Sequence, residues 1–286
     1  MQDDQCQSGA QTPHSKTWRN FERGSSSRKR PGVRRLCAAL VFAGIAILSS
    51  IAQPSPGRYE LRPGEDRNGI DKYYMGRQIA HVMGHQGADW LERPDRQEQE
   101  HTDEMINLLG LKPGEVAADI GAGTGYISWR MAKKVGPAGK VYAVDIQQEM
   151  LDLLSENMRK RGVTNVVQAL GTVTDPRLPA NALDLIIMVD VYHEFDHPYE
   201  MTESMVRALR PGSGRLVFVE YRKEDPQVPI KELHKMSEAQ VKKEMSPFPL
   251  HHTITHTNLP WQHVIVFTKT NKPPTEITPA RTSSSN

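Results

Sequence analysis

The sequence contains little cysteine and has no large excess of charge of one sign. Its two cysteines are Cys6 and Cys37. Both precede the part of the chain that is expected to fold, so that part can hold neither a disulfide framework nor a cysteine-ligated zinc site. The formal net charge is +2, with +5 in residues 1–35 and −3 in the remainder. Without an overall basic excess in the folded part, no nucleic-acid partner is expected.

Long apolar runs are also scarce, and the main exception lies near the N-terminus. Residues 36–52, LCAALVFAGIAILSSIA, contain no charged side chain and follow a basic cluster that ends in Arg34 and Arg35. This run is at the lower length limit for spanning a bilayer, and its last residues resemble a signal-peptidase site. The segment is therefore predicted to be either a signal-peptide core or a membrane anchor. Either alternative predicts a protein that is exported or anchored in the membrane. If the start of translation is misassigned, the protein is expected in the cytoplasm.

The chain divides into segments of different composition. Residues 1–35 are polar and basic, which predicts a disordered leader. Residues 53–70 are rich in Pro and Gly and are expected to form a linker. Residues 71–104 are rich in Met, His and aromatic side chains. Residues 105–270 carry the periodic pattern of a folded domain, and residues 271–286 are predicted to be a disordered tail.

Strand-like and helix-like patterns alternate through the main domain. Short apolar runs typical of buried strands are followed by segments with helical spacing, and the last two strands have no helix between them. Predicted strands lie at 115–121, 140–146, 165–170, 182–190, 214–221, 251–258 and 263–269, and predicted helices at 126–135, 148–161, 198–209 and 237–245. This order predicts an α/β fold with a Rossmann-like, seven-stranded, mostly parallel sheet. Helices would cover both faces, and a C-terminal antiparallel hairpin would form one edge.

A glycine-rich loop follows the first strand of this domain. Residues 118–126, ADIGAGTGY, place Gly121, Gly123 and Gly125 between a strand and a helix, where bare main chain allows a ligand to approach closely. Asp145 ends the next strand, where an acid can accept hydrogen bonds from both hydroxyls of a ribose. The alternative is that Asp145 caps the helix that follows it.

The spacing of the glycines distinguishes among nucleotide ligands. Dinucleotide-binding loops read G-x-G-x-x-G, whereas this loop reads G-x-G-x-G and has Tyr126 at the position of the last glycine. Asp119 lies two residues before the first glycine, which favours a cationic ligand over a pyrophosphate. With residues 208–221, ALRPGSGRLVFVEY, the loop resembles the class I S-adenosylmethionine-dependent methyltransferases, in particular bacterial small-molecule methyltransferase domains. The resemblance covers about residues 105–269, and it implies an N-terminal helical cap over the acceptor pocket at residues 71–104.

The resemblance implies S-adenosyl-L-methionine as cofactor and assigns candidate binding residues. The residues implied around its methionine part are Asp119, Gly121, Ala122, Gly123 and Gly125, with Tyr126 as a further candidate contact. Asp145 would hold the ribose, and Ile146 would pack on the adenine. Thr172 or Asp175 would contact the adenine amine, and the sequence does not decide between them.

The segment HEFDH, residues 193–197, matches the H-E-x-x-H pattern of zinc peptidases. A zinc peptidase needs both histidines in regular helix, but Pro198 disfavours the helical conformation at His197. No third ligand is evident, so no metal site is expected. The segment instead resembles the one that follows the fourth strand in small-molecule methyltransferases. There it lines the gap between the sulfonium and the acceptor. For a hydroxyl or amine acceptor, His193 is the best-placed general base, and the alternative is a loop histidine hydrogen-bonded to the backbone. Asp190 and Tyr192 would orient His193 or contact the cofactor amine.

Glu194, inside the same motif, is interpreted as a solvated loop charge. The predicted function is methyl transfer to a small-molecule or lipid-like acceptor, with possible membrane association through residues 36–52. The alternatives are a non-catalytic nucleoside-binding module, a zinc peptidase acting through HEFDH, and a nicotinamide-dependent dehydrogenase, which the glycine spacing disfavours.

Overall fold

A computed structural model describes residues 57–271 of the chain. The predicted leader at 1–35, the apolar segment at 36–52 and almost all of the tail at 271–286 lie outside these residues. Within residues 57–271, no helix is both long and apolar enough to cross a membrane.

The described chain contains eleven strands and seven α-helices. The strands are β1 Tyr59–Leu61, β2 Gly69–Tyr74, β3 Arg77–Ala80, β4 Val116–Ile120, β5 Lys140–Asp145, β6 Val166–Leu170, β7 Leu185–Val189, β8 Arg215–Arg222, β9 Lys235–Met236, β10 Leu250–His256 and β11 Gln262–Lys269. The helices are α1 Ala88–Leu91, α2 Arg96–Glu100, α3 Thr102–Leu108, α4 Ser128–Val135, α5 Gln148–Arg161, α6 Pro198–Ala208 and α7 Glu238–Met245.

The main sheet has the strand order β10-β11-β8-β7-β4-β5-β6, with β9 beside β8. Strands β4 to β8 pair in parallel, whereas β11 pairs antiparallel with both β8 and β10. The predicted mostly parallel sheet with a C-terminal hairpin is therefore confirmed. The short β9 was not predicted.

The sheet is buried on both faces, and its central strand β7 carries no polar side chain. Ile186, Met188 and Phe218 are fully buried on one face, in a core that includes residues of α6 and α7. Leu185 and Ile187 are fully buried on the other face, in a core formed with α3 and α4. This double burial explains the continuous apolar run seen in the sequence of β7.

The order of the strands creates a crevice at one edge of the sheet. The chain runs outward from β4 through β5 to β6, then returns to β7 on the other side of β4. Loops that leave β4 and β7 therefore diverge, and ligands of open parallel sheets bind at such a switch point, beyond the carboxyl ends of the strands.

The predictions of a linker at 53–70 and a helical cap at 71–104 are wrong for much of their length. Strands β1, β2 and β3 form a separate antiparallel sheet, and the helices α1 and α2 that follow have only four and five residues. Met75 and Gly76 both have positive φ, +47° and +89°, and connect β2 to β3 as a two-residue hairpin turn. A two-residue turn with positive φ matches the twist of an antiparallel hairpin. This local signal of a hairpin was not recognised in the sequence.

Candidate functional site

A cavity of about 540 Å³ opens at the carboxyl edge of the sheet. This volume lies in the range of about 300–1,000 Å³ that is usual for small-molecule sites. The glycine loop and the turn after β5 line one part of it, and the segments after β7 and β8 line another. The segment between β3 and α2 contributes Val82, Met83, Trp90 and Leu91. The predicted cofactor and acceptor regions therefore face one continuous space.

The glycine loop presents bare main chain to this space. Gly121 and Gly123 have φ of +71° and +52°, and both line the cavity. A Cβ on Gly121 would lie 2.5 Å from Val191 Cγ2, and one on Gly123 would lie 2.5 Å from Leu91 Cδ1. The positive φ favours glycine at both positions, the contact with Val191 adds to this at Gly121, and the resulting cradle fits a ligand such as S-adenosylmethionine.

Asp145 lies directly against the glycine loop, as the sequence predicts. Its Oδ2 accepts a hydrogen bond from the Gly123 backbone N–H at 2.9 Å, and its Oδ1 accepts one from Gln147 N–H at 2.9 Å. Burial raises the pKa of Asp145, while these N–H groups oppose the rise. Each carboxylate oxygen retains a further lone pair. Ile146, the next residue, is 39% exposed and lines the cavity.

Four other residues predicted at the glycine loop lie behind the cavity wall. Asp119 is buried and accepts a hydrogen bond from Ser128 Oγ at 2.6 Å, and burial raises its pKa to about 6. The guanidinium groups of Arg96 and Arg130 lie 4.5 and 3.8 Å from the centre of the Tyr126 ring. Ala122 and Gly125 pack towards α5. In the described chain these four residues shape the loop and do not line the cavity.

Neither candidate for the adenine amine contact reaches the cavity. Thr172 Oγ1 accepts a hydrogen bond from Asp175 N–H at 2.9 Å, and Asp175 Oδ1 accepts one from Arg177 N–H at 2.8 Å. Val173, between the two candidates, lines the cavity instead. The side chains of Thr172 and Asp175 thus stabilise their own loop.

Asp190 follows β7 and lines the cavity, as predicted. Its Oδ2 accepts a hydrogen bond from Gln262 Nε2 at 3.2 Å, whereas its buried Oδ1 has no partner within residues 57–271. Burial raises the pKa of Asp190 well above its usual value, as do Glu100 and Glu220. Its φ of +52° is unusual for a residue other than glycine and costs about 1–3 kcal/mol. A strained acid with an unpaired oxygen fits a cationic ligand group.

Arg96 lies on the same wall of the cavity as Asp190 and was not predicted as a site residue. The side chain is 5% exposed, its Nε donates to Glu100 Oε2 at 2.9 Å, and its Nη1 donates to the carbonyl of Leu91. Arg96 also lowers the pKa of Asp190. The wall therefore combines an arginine that is paired with Glu100 and an acid with an unpartnered oxygen.

His193 is buried at the opposite part of the cavity, between an acid and a second histidine. Its Nδ1 is 2.6 Å from Glu220 Oε2, and its Nε2 is 3.0 Å from His234 Nδ1. Burial lowers the pKa of His193 to about 4 and raises that of Glu220 to about 8. His193 Nδ1 therefore faces a buried acid, and His193 Nε2 faces the second histidine, His234.

Glu194 is not a solvated loop charge. It is 8% exposed, lines the cavity, and accepts a hydrogen bond through Oε2 from the Met83 backbone N–H at 3.1 Å. Burial raises its pKa. The segment between β3 and α1 covers this carboxylate, which could not be seen from the local sequence.

The zinc-peptidase geometry is not formed by HEFDH. His193 lies in a short 3₁₀ turn, Tyr192–Glu194, and His197 precedes α6 with φ of −127°. His197 contacts Lys72 and Asp196 instead of sharing a helix face with His193. Tyr192 is fully buried against Phe195 and Phe218, and in the described chain it does not line the cavity.

Glu220 and His234 were missed by the sequence analysis. Glu220 is a single acid within the apolar strand β8, LVFVEY, and this isolated charge was a usable signal. His234 lies in a short 3₁₀ turn, Glu232–His234, before β9, and no local pattern distinguishes it. Strand β9 pairs with the end of β8 and thereby holds His234 beside His193.

Sequence comparison places this site in a known family. Residues 111–271, more than half of the chain, match the family described as a methyltransferase domain. The ubiquinone/menaquinone biosynthesis C-methyltransferase UbiE of Ectopseudomonas mendocina is 33% identical over 119 residues, which cover 41% of this chain and 46% of that protein. UbiE of Pseudomonas putida is 31% identical over the same lengths. The chain thus spans less than half the length of these relatives.

Solved structures show the same fold. A SAM-dependent methyltransferase from Aquifex aeolicus matches with a TM-score of 0.61 and 25% identity, over 65% of this chain and 98% of that one. The [4+2]-cyclase SpnF matches with a TM-score of 0.51 at 16% identity, over 59% and 81%, which shows the fold alone. Taken with the glycine cradle and Asp145, the family match establishes that this chain belongs to the methyltransferase domain family, as a class I methyltransferase that uses S-adenosylmethionine.

Proposed function

We propose that this methyltransferase acts on a small, largely apolar acceptor that carries an ionisable hydroxyl group, such as a quinol-like ring. The observation that carries the proposal is the single cavity shared by the glycine cradle, with Asp145, and the polar cluster of His193, Glu194 and His234. The glycine-loop end of the cavity fits the cofactor. The end with the polar cluster presents a group that can promote loss of the acceptor's hydroxyl proton.

At the cofactor end, each group of this chain has a distinct proposed role. The main chain at Gly121 and Gly123 surrounds the methionine part, Asp145 accepts from the ribose hydroxyls, and Ile146 packs on the adenine. Asp190 attracts the cofactor's ammonium group through its unpaired Oδ1, and Arg96 attracts its carboxylate. Asp119, Tyr126, Ala122 and Gly125 support the loop from behind.

At the acceptor end, the walls are mainly apolar. Phe195, Met201 and Ile230 line the cavity, and Val82 and Trp90 are each 45% exposed while lining it. Exposed apolar side chains around a cavity favour an acceptor with an apolar body. The names of the UbiE relatives point to the same class of compound, and this proposal extends that class to the present chain.

Bound S-adenosylmethionine supplies a methyl group on an activated sulfonium leaving group. The chain's contribution is to hold the acceptor in line with that methyl group and to promote loss of the acceptor proton. His193 is placed for the second task, because its Nε2 lies in the polar cluster that faces the cavity.

The acceptor class is tested by incubating the full chain with S-adenosylmethionine carrying a deuterated methyl group and with cell extract. Label is expected in the small-molecule or lipid fraction, and mass spectrometry would locate it on carbon or oxygen. Reduced naphthoquinone and simple phenols serve as defined probes. Label found exclusively in protein would overturn the proposed acceptor class while leaving cofactor use intact.

Replacing Asp190 tests its proposed contact with the cofactor. Asp190→Asn keeps the shape but removes the charge, so the Kd for S-adenosylmethionine measured by calorimetry is expected to rise about 10-fold, for one charge-assisted hydrogen bond of about 1.5 kcal/mol. Asp152→Asn, on the exposed face of α5, is the matched control and is expected to bind normally. An unchanged Kd for Asp190→Asn would remove this residue from the proposed site.

Export or membrane anchoring through residues 36–52 remains a proposal from the sequence. Mass spectrometry of the mature N-terminus is expected to show either cleavage after Ala52 or an intact segment in the membrane fraction. An intact segment on protein recovered in the soluble fraction would contradict both.

A further inference from the structure

We propose that His193, Glu194 and His234 bind one divalent first-row transition-metal ion, and that this ion holds the acceptor's hydroxyl oxygen. The second half of this inference rests on the proposed function, and the first half does not. Within residues 57–271, these three residues form the one cluster of metal-binding side chains whose ligand atoms all lie within 4.8 Å of one another.

The spacing of the two histidines suits a shared ion. His193 Nε2 and His234 Nδ1 are 3.0 Å apart, and their rings are nearly perpendicular, at 85°. Two imidazole nitrogens bound at about 2.1 Å to one ion lie about 3.0 Å apart at a right angle and about 3.4 Å apart at the tetrahedral angle. The observed separation therefore needs little adjustment.

Glu194 completes the set from the same side. Its Oε1 lies 3.9 Å from His193 Nε2 and 3.8 Å from His234 Nδ1. A shift of the carboxylate by about half an ångström would bring both separations to those of a tetrahedral site. The hydrogen bond from Met83 N–H to Oε2 orients the carboxylate so that Oε1 faces the two histidines.

The surroundings favour metal binding over a simple pair of histidines. Glu220 is fully buried, and its Oε2 lies 2.6 Å from His193 Nδ1, the position from which acids behind metal-binding histidines orient the ring so that the other nitrogen, here Nε2, faces the ion. Arg77 donates through Nη1 to the carbonyl of His193, and it is paired with Glu244 through two further hydrogen bonds. The site thus combines two imidazoles with the carboxyl group of Glu194, and a second acid lies behind one of the imidazoles.

This donor set also predicts what the ion does. Two histidines and one carboxylate leave coordination positions open in catalytic zinc and non-haem iron sites. All three residues line the cavity, so the open positions face the space assigned to the acceptor. A hydroxyl bound there becomes more acidic and releases its proton to solvent. The acceptor then supplies the electron pair for the new bond to the methyl carbon, and the electron pair of the broken C–S bond remains on sulfur.

Cobalt(II) is the probe for the site, because its visible absorption reports nitrogen and oxygen ligation. The experiment uses the full chain with the substitutions Cys6→Ser and Cys37→Ser, so that no thiolate can bind Co²⁺. After treatment with EDTA, titration is expected to show one Co²⁺ per chain, competed by Zn²⁺ and not by Mg²⁺. His234→Ala and Glu194→Gln are each expected to weaken Co²⁺ binding by at least about 100-fold, and Glu220→Gln by about 10–100-fold.

His251→Gln, at an exposed histidine of β10, is the matched control and is expected to bind Co²⁺ normally. Calorimetry with S-adenosylmethionine on every variant shows whether the domain is folded. No stoichiometric Co²⁺ in a chain that binds the cofactor, or binding that survives both His234→Ala and Glu194→Gln, would overturn the metal site and leave the proposed function standing. Co²⁺ binding with methyl transfer that EDTA does not reduce would overturn its role in holding the acceptor. Co²⁺ binding in a chain that does not bind S-adenosylmethionine would instead count against the proposed function.

Discussion

Asp145→Ala is expected to raise the Kd for S-adenosylmethionine about 1,000-fold, since two hydrogen bonds to a charged acceptor contribute about 1.5–3 kcal/mol each. The same carboxylate also accepts a hydrogen bond from the Gly123 N–H. Its removal is therefore expected to loosen the glycine loop in addition to removing the contact with the ribose. Isothermal titration calorimetry of the full chain measures both the loss of affinity and the change in enthalpy.

Two further variants separate the ribose contact from the support of the loop. Asp145→Asn retains an oxygen for the Gly123 N–H, so it is expected to bind the cofactor more tightly than Asp145→Ala but more weakly than the unaltered chain. Glu149→Ala, exposed in the first turn of α5, is expected to leave binding unchanged. Normal affinity in Asp145→Ala would contradict the placement of the ribose at this residue, and with it the whole assignment of the cofactor end.

His193→Asn is expected to reduce kcat for methyl transfer about 1,000-fold, within the range of about 10²–10⁴ that is usual for loss of an acid–base group. Asparagine places its amide nitrogen close to the position of Nδ1, so the contact with Glu220 can persist while Nε2 is lost. The effect should fall on turnover, because the glycine cradle and Asp145 do not contact this side chain.

The measurement is single-turnover methyl transfer with a quinol probe, accompanied by calorimetry with the cofactor. Cofactor affinity is expected to remain close to that of the unaltered chain, and the melting temperature serves as a check on folding. Retained turnover in His193→Asn would show that His193 neither accepts the acceptor proton nor holds an ion that activates it. A joint loss of cofactor binding and turnover would indicate a structural role for the buried imidazole.

Much of the fold was predictable because its signals are local. The alternation of buried strands and amphipathic helices from residue 115 to residue 269 repeats within windows of about 11–18 residues, and the glycine loop and Asp145 follow the strands that position them. The turn at Met75 and Gly76 is also a local signal, but the resemblance to the family implied a cap of helices around it.

The chemical groups of the acceptor end could not be predicted in the same way. Glu194 accepts a hydrogen bond from Met83, which lies 111 residues away in the sequence. His193 contacts Glu220 and His234, which lie 27 and 41 residues away in the sequence. Thr172 and Asp175 seemed suitable for the adenine, but their side chains satisfy their own loop. Side-chain partners at such separations depend on which strands are neighbours and on how each loop leaves its strand.

By itself, therefore, the sequence determined the parallel sheet, the glycine cradle and the acid that faces it, because backbone conformation and apolar periodicity are encoded over a few neighbouring residues. The tertiary structure alone decided that the first histidine of HEFDH faces His234 instead of His197, and that Glu194 is buried beside them. The physical reason is that β7 and β8 are adjacent and parallel, so the segments that follow them meet at one edge of the sheet.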